Sequence, residues 1–193
     1  MVVDATTKAT DLPLQTLVVY AEDKPGVINR VSSLFRRSDF NIESLTTGKT
    51  LKSGIARLTI VMRGDSATTR RFEASLYKLV NILRVVNITD LPSVESEIAL
   101  IKVSSNTKIR RDILAINEEF HSQVVDLGTT AIILEITGTP EKIDSMINVL
   151  EQFGIIEVAR TGLVAMTRSS EGIPVDSGPV PETPPPGSNQ PRS

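Results

Sequence analysis

Residues 16–35 read TLVVYAEDKPGVINRVSSLF, and the fold of the chain turns on what happens in the middle of that stretch. Residues 16–20 (TLVVY) are β-branched, aliphatic or aromatic and predict a short strand. After Pro25 and Gly26, the apolar residues Ile28, Val31, Leu34 and Phe35 recur at the spacing of one helix face. A strand therefore hands over to a helix across Asp23-Lys24-Pro25-Gly26. Proline holds φ at about −65° and has no N–H to leave unpaired, so it sits easily at a helix entrance. Glycine, lacking Cβ, lets another group approach the backbone closely.

Working outward, residues 42–47 (IESLTT) and 55–62 (IARLTIVM) read as two strands of a hairpin around a turn-rich segment. Asp65 and Ser66 are placed to cap a second helix carrying Phe72, Leu76, Leu79, Val80 and Leu83 on one face, with a strand near 84–90 after it. Beyond Pro92 the same order begins again. A strand is predicted at 97–103, a helix carrying Ile109, Ile113, Ile116 and Phe120, then strands at 122–127 and 131–137. Thr139-Pro140-Glu141 supplies a cap, a first-turn proline and an acid for a helix with Ile143, Ile147 and Leu150, and a final strand is expected near 155–167. Twice βαββαβ predicts an α+β fold of two ferredoxin-like units in tandem, each a four-stranded antiparallel sheet with two helices on one face. The expected boundaries are 16–92 and 93–168, followed at 169–193 by a segment that holds seven of the eleven prolines and is expected to be a disordered tail.

Several predicted strands, LVVY, LTIVM and AIILEI among them, are apolar at odd and even positions alike. Both faces of such a strand want cover. Helices cover one face, so a second protomer or a partner subunit is expected on the other face or at an edge.

Composition narrows the function. The chain has no cysteine and one histidine, His121, and no serine stands in a nucleophile-elbow setting, so neither a thiolate metal site nor a catalytic triad is expected. No catalytic residue and no cofactor is assigned to this chain. Residues 1–15 lack the basic start and apolar run of a secretion signal, and no apolar run approaches the roughly 20 residues of a membrane helix. A cytoplasmic protein without a membrane partner is the expectation. Residues 16–92 carry twelve Lys and Arg against seven Asp and Glu, whereas residues 93–168 carry seven against eleven. A basic half invites the idea of a ferredoxin-like nucleic-acid binder. With 4% aromatic residues and no tryptophan, however, the base-stacking platform of such sheets is missing, and no nucleic-acid partner is expected.

What the first junction offers is an anion site. A helix opening at Gly26 would point the N–H groups of Gly26, Val27 and Ile28 outward, where a carboxylate gains about 0.3–1 kcal/mol from the helix dipole, and up to ~2 when sheltered. Asp23 could pair with an ammonium group and Asn41 could donate and accept, which together suit an α-amino acid. The same residues are also ordinary turn and capping chemistry, and on their own that reading stays ahead. The equivalent junction of the second half, Ser104-Ser105-Asn106-Thr107-Lys108, is a plain cap without glycine or proline. Only the first half looks built to bind.

EDKPGVINRVSSLF followed by NIESLT resembles the ACT domain that opens the small, regulatory subunit of acetohydroxyacid synthase (acetolactate synthase). KLVNILRV at 78–85, VESEI at 94–98 and IIEVARTGLVAMTR at 155–168 extend the resemblance over about residues 16–168. It implies an effector-binding ACT domain followed by a ferredoxin-like C-terminal domain, in a non-catalytic homodimer joined through the ACT domain. Such a chain activates a separate catalytic subunit, which carries the thiamine diphosphate, magnesium and FAD, and makes it sensitive to a branched-chain amino acid, usually valine. By position the resemblance assigns effector contacts to Asp23, Lys24, Pro25, Gly26, Val27 and Ile28, and to Asn41 and Ile42 facing them across the dimer interface. Many relatives have asparagine where this chain has Asp23, and most end near the Met-Thr-Arg that this chain runs past. A stand-alone amino-acid sensor acting on another target is the alternative.

Overall fold

Strand β1 (Leu14–Glu22), helix α1 (Val27–Ser38), strands β2 (Asn41–Lys49) and β3 (Ile55–Arg63), helix α2 (Ser66–Leu76) and strand β4 (Ile82–Asn87) make the first unit of the computed structural model. The structure describes residues 12–38, 40–168 and 173, so the proline-rich segment expected to be disordered lies, apart from Ile173, outside the described residues. The first sheet is antiparallel in the order β2-β3-β1-β4, which leaves β1 interior and β2 an edge. Leu17, Val19 and Ala21 of β1 and Leu58, Ile60 and Met62 of β3 meet Val27 and Val31 of α1 and Phe72 and Leu76 of α2 in one buried cluster. The Phe72 ring lies 5.3 Å from Phe35 and 4.9 Å from Phe40, centroid to centroid.

The second unit repeats the order with β5 (Ser93–Ser104), α3 (Arg110–Glu119), β6 (Gln123–Leu127), β7 (Ala131–Gly138), α4 (Pro140–Leu150), a 3₁₀ turn (Glu151–Phe153), β8 (Ile155–Arg160) and β9 (Val164–Thr167). Its strands run β6-β7-β5-β8, and β9 pairs with the first residues of β5. Along β5 the alternation is clean: Ala99, Ile101 and Val103 are buried against α3 and α4, and Ile98 and Leu100 point out. Arg160 at the end of β8 reaches Glu97 on β5 (2.5 Å) and Asp144 on α4 (2.6 Å), tying strand to strand and sheet to helix. The chain is thus α+β, two ferredoxin-like units in tandem.

The helix starts follow local chemistry. Asp65 caps α2 by accepting the Thr68 N–H (2.7 Å), and Thr139 caps α4, with Pro140 in its first turn. Hydrogen bonding from Thr68, through its hydroxyl and then its backbone N–H, holds the Asp65 carboxyl below its ordinary value. A carboxylate whose folded-state pKa is depressed contributes fully above its unfolded value of about 3.9 and loses that contribution as pH falls through the folded value. Asp65→Ala is therefore expected to lower the melting temperature by a few degrees at neutral pH. The gap from the parent chain should close in strongly acid buffer, and a pH-independent gap would contradict the cap.

Two expectations are corrected. Helix α2 ends at Leu76, not Leu83: the Leu79 N–H bonds to the Leu76 carbonyl and the Ile82 N–H to the Leu79 carbonyl, closing tight turns that still pack Leu79 on the core but leave Val80 exposed. The single strand expected near 155–167 is two strands, broken where Gly162 takes a left-handed φ of +83°. Of the two places where a partner is expected, the second face of the first sheet is covered from within the chain, which leaves the edge strand β2 for a partner. Leu163 and Ala165 pack there on Val18, Tyr20, Val61 and Ile88 as a third buried cluster, and Arg57 of β3 donates to the Ala165 carbonyl.

Candidate functional site

The junction between β1 and α1 is braced by its neighbours. Asp23 donates its N–H to the Gly54 carbonyl (2.8 Å) in the β2–β3 turn, and Glu22 donates its own to the Asn81 carbonyl (2.9 Å) just before β4. The Asn81 side chain extends the brace, its amide donating to the Glu22 carboxylate (2.5 Å) and its oxygen accepting from Arg30 of α1 (2.9 Å). Lys24 pairs with the same carboxylate at 3.0 Å. These partners, Lys24 first and Asn81 second, hold the Glu22 carboxyl below the usual carboxylate range. Neither Asn81 nor Arg30 was legible as part of this junction, because an asparagine in a turn says nothing locally about reaching a residue 59 positions away.

Gly26 stands at φ +84°, a left-handed backbone, and its carbonyl accepts the Arg30 N–H at 3.0 Å. It is the residue before the helix rather than the first within it. The Val27 N–H turns back to the Lys24 carbonyl (3.3 Å), so one of the amides expected to point outward is spent inside the loop. Those of Gly26 and Ile28 have no protein acceptor among the described residues. Both residues are exposed, and a Cβ built on Gly26 meets nothing within 4 Å. Beside them the Asp23 carboxylate makes no ion pair or side-chain hydrogen bond among the described residues, while Lys24 is held by Glu22.

Asn41 and Ile42 are elsewhere in the chain. Strand β3 pairs Ile55 with Glu22 at one end and Arg63 with Asn41 at the other. The two sets of candidate residues are therefore separated by roughly 26 Å of strand, at about 3.3 Å per residue. Ile42 packs on the helix-side core, and Asn41 opens an edge strand. One chain does not bring the two sets together.

The matching junction of the second unit is closed on itself. Asn106 Oδ1 accepts the N–H groups of Lys108 (2.9 Å) and Ile109 (3.2 Å), and Arg110 is spent on the carbonyls of Gly128 (2.6 Å) and Thr129 (3.3 Å). His121 lies in the turn after α3 at φ +53°. Among the described residues no group of His, Asp and Glu is placed to hold a metal ion, and no helix is long and apolar enough to cross a membrane.

Two ferredoxin-like units in tandem, the first with a glycine-opened helix entrance beside an aspartate that is unpaired among the described residues, define a chain of the ACT type. A family profile described as an AHAS small subunit-like ACT domain matches residues 17–84, and one described as the small subunit of acetolactate synthase matches residues 96–169. The acetolactate synthase small subunit of Mycolicibacterium smegmatis is 42% identical over 161 residues, an alignment spanning 83% of this chain and 95% of that one. A probable acetolactate synthase small subunit of Archaeoglobus fulgidus is 41% identical over 156 residues, 81% of this chain and 98% of the relative. The crystal structure of the small subunit from Thermotoga maritima superposes with a TM-score of 0.77 at 36% identity, covering 83% of this chain and 100% of that one. The chain belongs to the acetolactate synthase small-subunit family.

Proposed function

We propose that this chain is the non-catalytic regulatory subunit of a cytoplasmic acetolactate synthase, activating the catalytic subunit and conferring feedback inhibition by a branched-chain amino acid, valine foremost. The observation that carries the reading is the entrance of α1, where one short exposed stretch holds the amides of Gly26 and Ile28 and the carboxylate of Asp23, none with a partner among the described residues, and a Cβ on Gly26 would meet nothing within 4 Å. An α-amino acid carries the two complementary charges. On this reading the thiamine diphosphate, magnesium ion and FAD belong to the catalytic partner, and the present chain supplies only the sensor.

The separation of Asn41 from the loop supports a site built by two copies. Strand β2 is an edge, and pairing it antiparallel with a second copy of itself lays Asn41 of one copy beside Lys49 of the other. That is the end of the sheet where the β2–β3 turn holds Asp23 through Gly54. Asn41 and Ile42 of a second copy then close the open side of the loop. Burying a small aliphatic side chain contributes about 1.5–3 kcal/mol and each charge-assisted hydrogen bond about 1.5–3, which after ordering costs leaves micromolar to millimolar affinity. Feedback follows only if the amino acid binds the activating and non-activating arrangements unequally.

The test is reconstitution. Mixed with the catalytic subunit of acetolactate synthase, the chain is expected to raise the rate of acetolactate formation several-fold, and valine is expected to reverse the gain at lower concentration than leucine or isoleucine. An unchanged rate with no response to any of the three would overturn the reading.

A further inference from the structure

Strand β2 has a second set of contacts, in its middle. Ser44 and Thr46 pair across the sheet with Val61 and Thr59, on the face that Leu163 and Ala165 cover. The Ser44 hydroxyl accepts the Leu163 N–H (3.1 Å), and the Thr46 hydroxyl donates to the Thr161 carbonyl (3.4 Å). Gly162 lies between these bonds, so close that a Cβ there would stand 2.6 Å from Ser44 Oγ and 2.9 Å from Thr46 Oγ1. Its φ of +83° independently favours glycine. Beside this seat the two units part around a cleft of about 760 Å³ lined by Glu43, Arg63, Glu97 and Arg160. The 161–163 loop therefore meets β2 at a defined point.

That point is central. Ser44 and Thr46 flank Leu45, the midpoint of Asn41–Lys49, where a two-fold axis passes if two copies pair along β2. Asn41 and Ile42 precede the seat on the same strand, with one register shift of the β2–β3 pairing, at Glu43, between them.

We propose that Gly162, seated on Ser44 and Thr46, is the positioning residue through which amino-acid occupancy at the edge of the first sheet is passed to the second unit; the inference rests on the effector site described above. Drawing Asn41 and Ile42 toward a bound amino acid moves Ser44 and Thr46 on the same strand. Joined to β2 through Ser44 and Thr46, the 161–163 loop must follow or its hydrogen bonds to β2 break. The second unit is thereby informed of occupancy without touching the ligand.

Gly154 provides a matched control, since it has φ +84° but a Cβ there would meet only Ser104 Cβ, at 3.8 Å. Gly162→Ala and Gly154→Ala impose the same backbone strain, and only the first pushes on β2. In the full complex with the catalytic subunit, Gly162→Ala is expected to keep activation and to raise the valine concentration for half-inhibition by about tenfold or more, within the range of known couplings. Gly154→Ala should stay near the parent. Ser44→Ala deletes one hydroxyl and should shift half-inhibition by about threefold, a fraction of such a coupling. Added to Gly162→Ala, it should restore part of the response by removing the clash. If Gly162→Ala does not fold, Ser44→Ala carries the test alone.

Parental inhibition in Gly162→Ala and Ser44→Ala, or equal losses in the two glycine variants, would overturn the proposal while leaving the effector site standing. A parent complex blind to valine, leucine and isoleucine would remove the effector site and this inference with it.

Discussion

Replacing Gly26 by aspartate is expected to abolish inhibition by valine while leaving activation of the catalytic subunit in place. The position accepts the new side chain: nothing lies within 4 Å of a Cβ built there, and aspartate is one of the few residues that enters left-handed backbone at modest cost, about 1–2 kcal/mol. What it does not accept is a second carboxylate. At the proposed site the new side chain is expected to compete for the amides of Gly26 and Ile28, which have no acceptor among the described residues, and to repel the acid group of the effector. Loss of two charge-assisted hydrogen bonds at about 1.5–3 kcal/mol each is worth 100-fold or more in affinity, at about 1.4 kcal/mol per tenfold. Calorimetry on the complex should detect no valine heat, and the activity curve should be flat across valine concentrations that silence the parent. Gly26→Asn, matched in shape but uncharged, should lose less. Parental inhibition in Gly26→Asp would place the effector elsewhere.

Phe72→Ala carries the largest expected cost in stability. The side chain is fully buried, and its ring touches Phe35 on α1 and Phe40 on the approach to β2. Truncating a buried phenylalanine costs about 3–5 kcal/mol, a large share of the roughly 5–15 kcal/mol that holds a domain together. For a chain of this size the melting temperature should fall by roughly 6–20 °C, and the urea midpoint should fall with it. On the proposed function the loss also bears on regulation, because α1 follows the proposed effector loop and β2 carries Asn41 and Ile42. A valine response that survives at low temperature but fails well below the parent's melting point is the expected pattern. A change under about 1 kcal/mol would mean that the neighbours refill the cavity.

Much of the fold was legible because its signals are local. The helical spacing of Ile28, Val31, Leu34 and Phe35, the cap at Asp65 and the Thr139-Pro140-Glu141 start each act within a few residues, and each element stands where that chemistry puts it. The end of α2 was not legible in the same way. Leu79, Val80 and Leu83 continue a helical spacing on paper, but a pair of tight turns buries Leu79 equally well and frees the chain to begin β4 at Ile82. Periodicity records which residues want burial, not which backbone delivers them.

The site divides along the same line. Pro25 and Gly26 announce a helix entrance, and the left-handed φ and open space at Gly26 are what glycine chemistry leads one to expect. The brace through Asn81 and the seat of Gly162 on Ser44 link residues 59 and more than 100 positions apart, and no neighbouring residue signals either. Gly162 carried a faint mark, a lone glycine inside a strand pattern, which denotes a bend or a close backbone approach without saying to what.

By itself the sequence determined two βαββαβ units, the cores on their helical sides and a helix entrance marked by Pro25 and Gly26 in the first unit alone, since propensity, capping and apolar spacing are properties of short segments. Only the tertiary structure decided that the chain's own Leu163 and Ala165 cover one face of the first sheet, and that within one chain Asn41 lies a full strand away from the loop it is expected to face across a dimer interface. Apolar surface is non-directional, so a strand that needs cover on both faces is satisfied by any partner of suitable shape. Which partner takes the place is settled only when the two units dock.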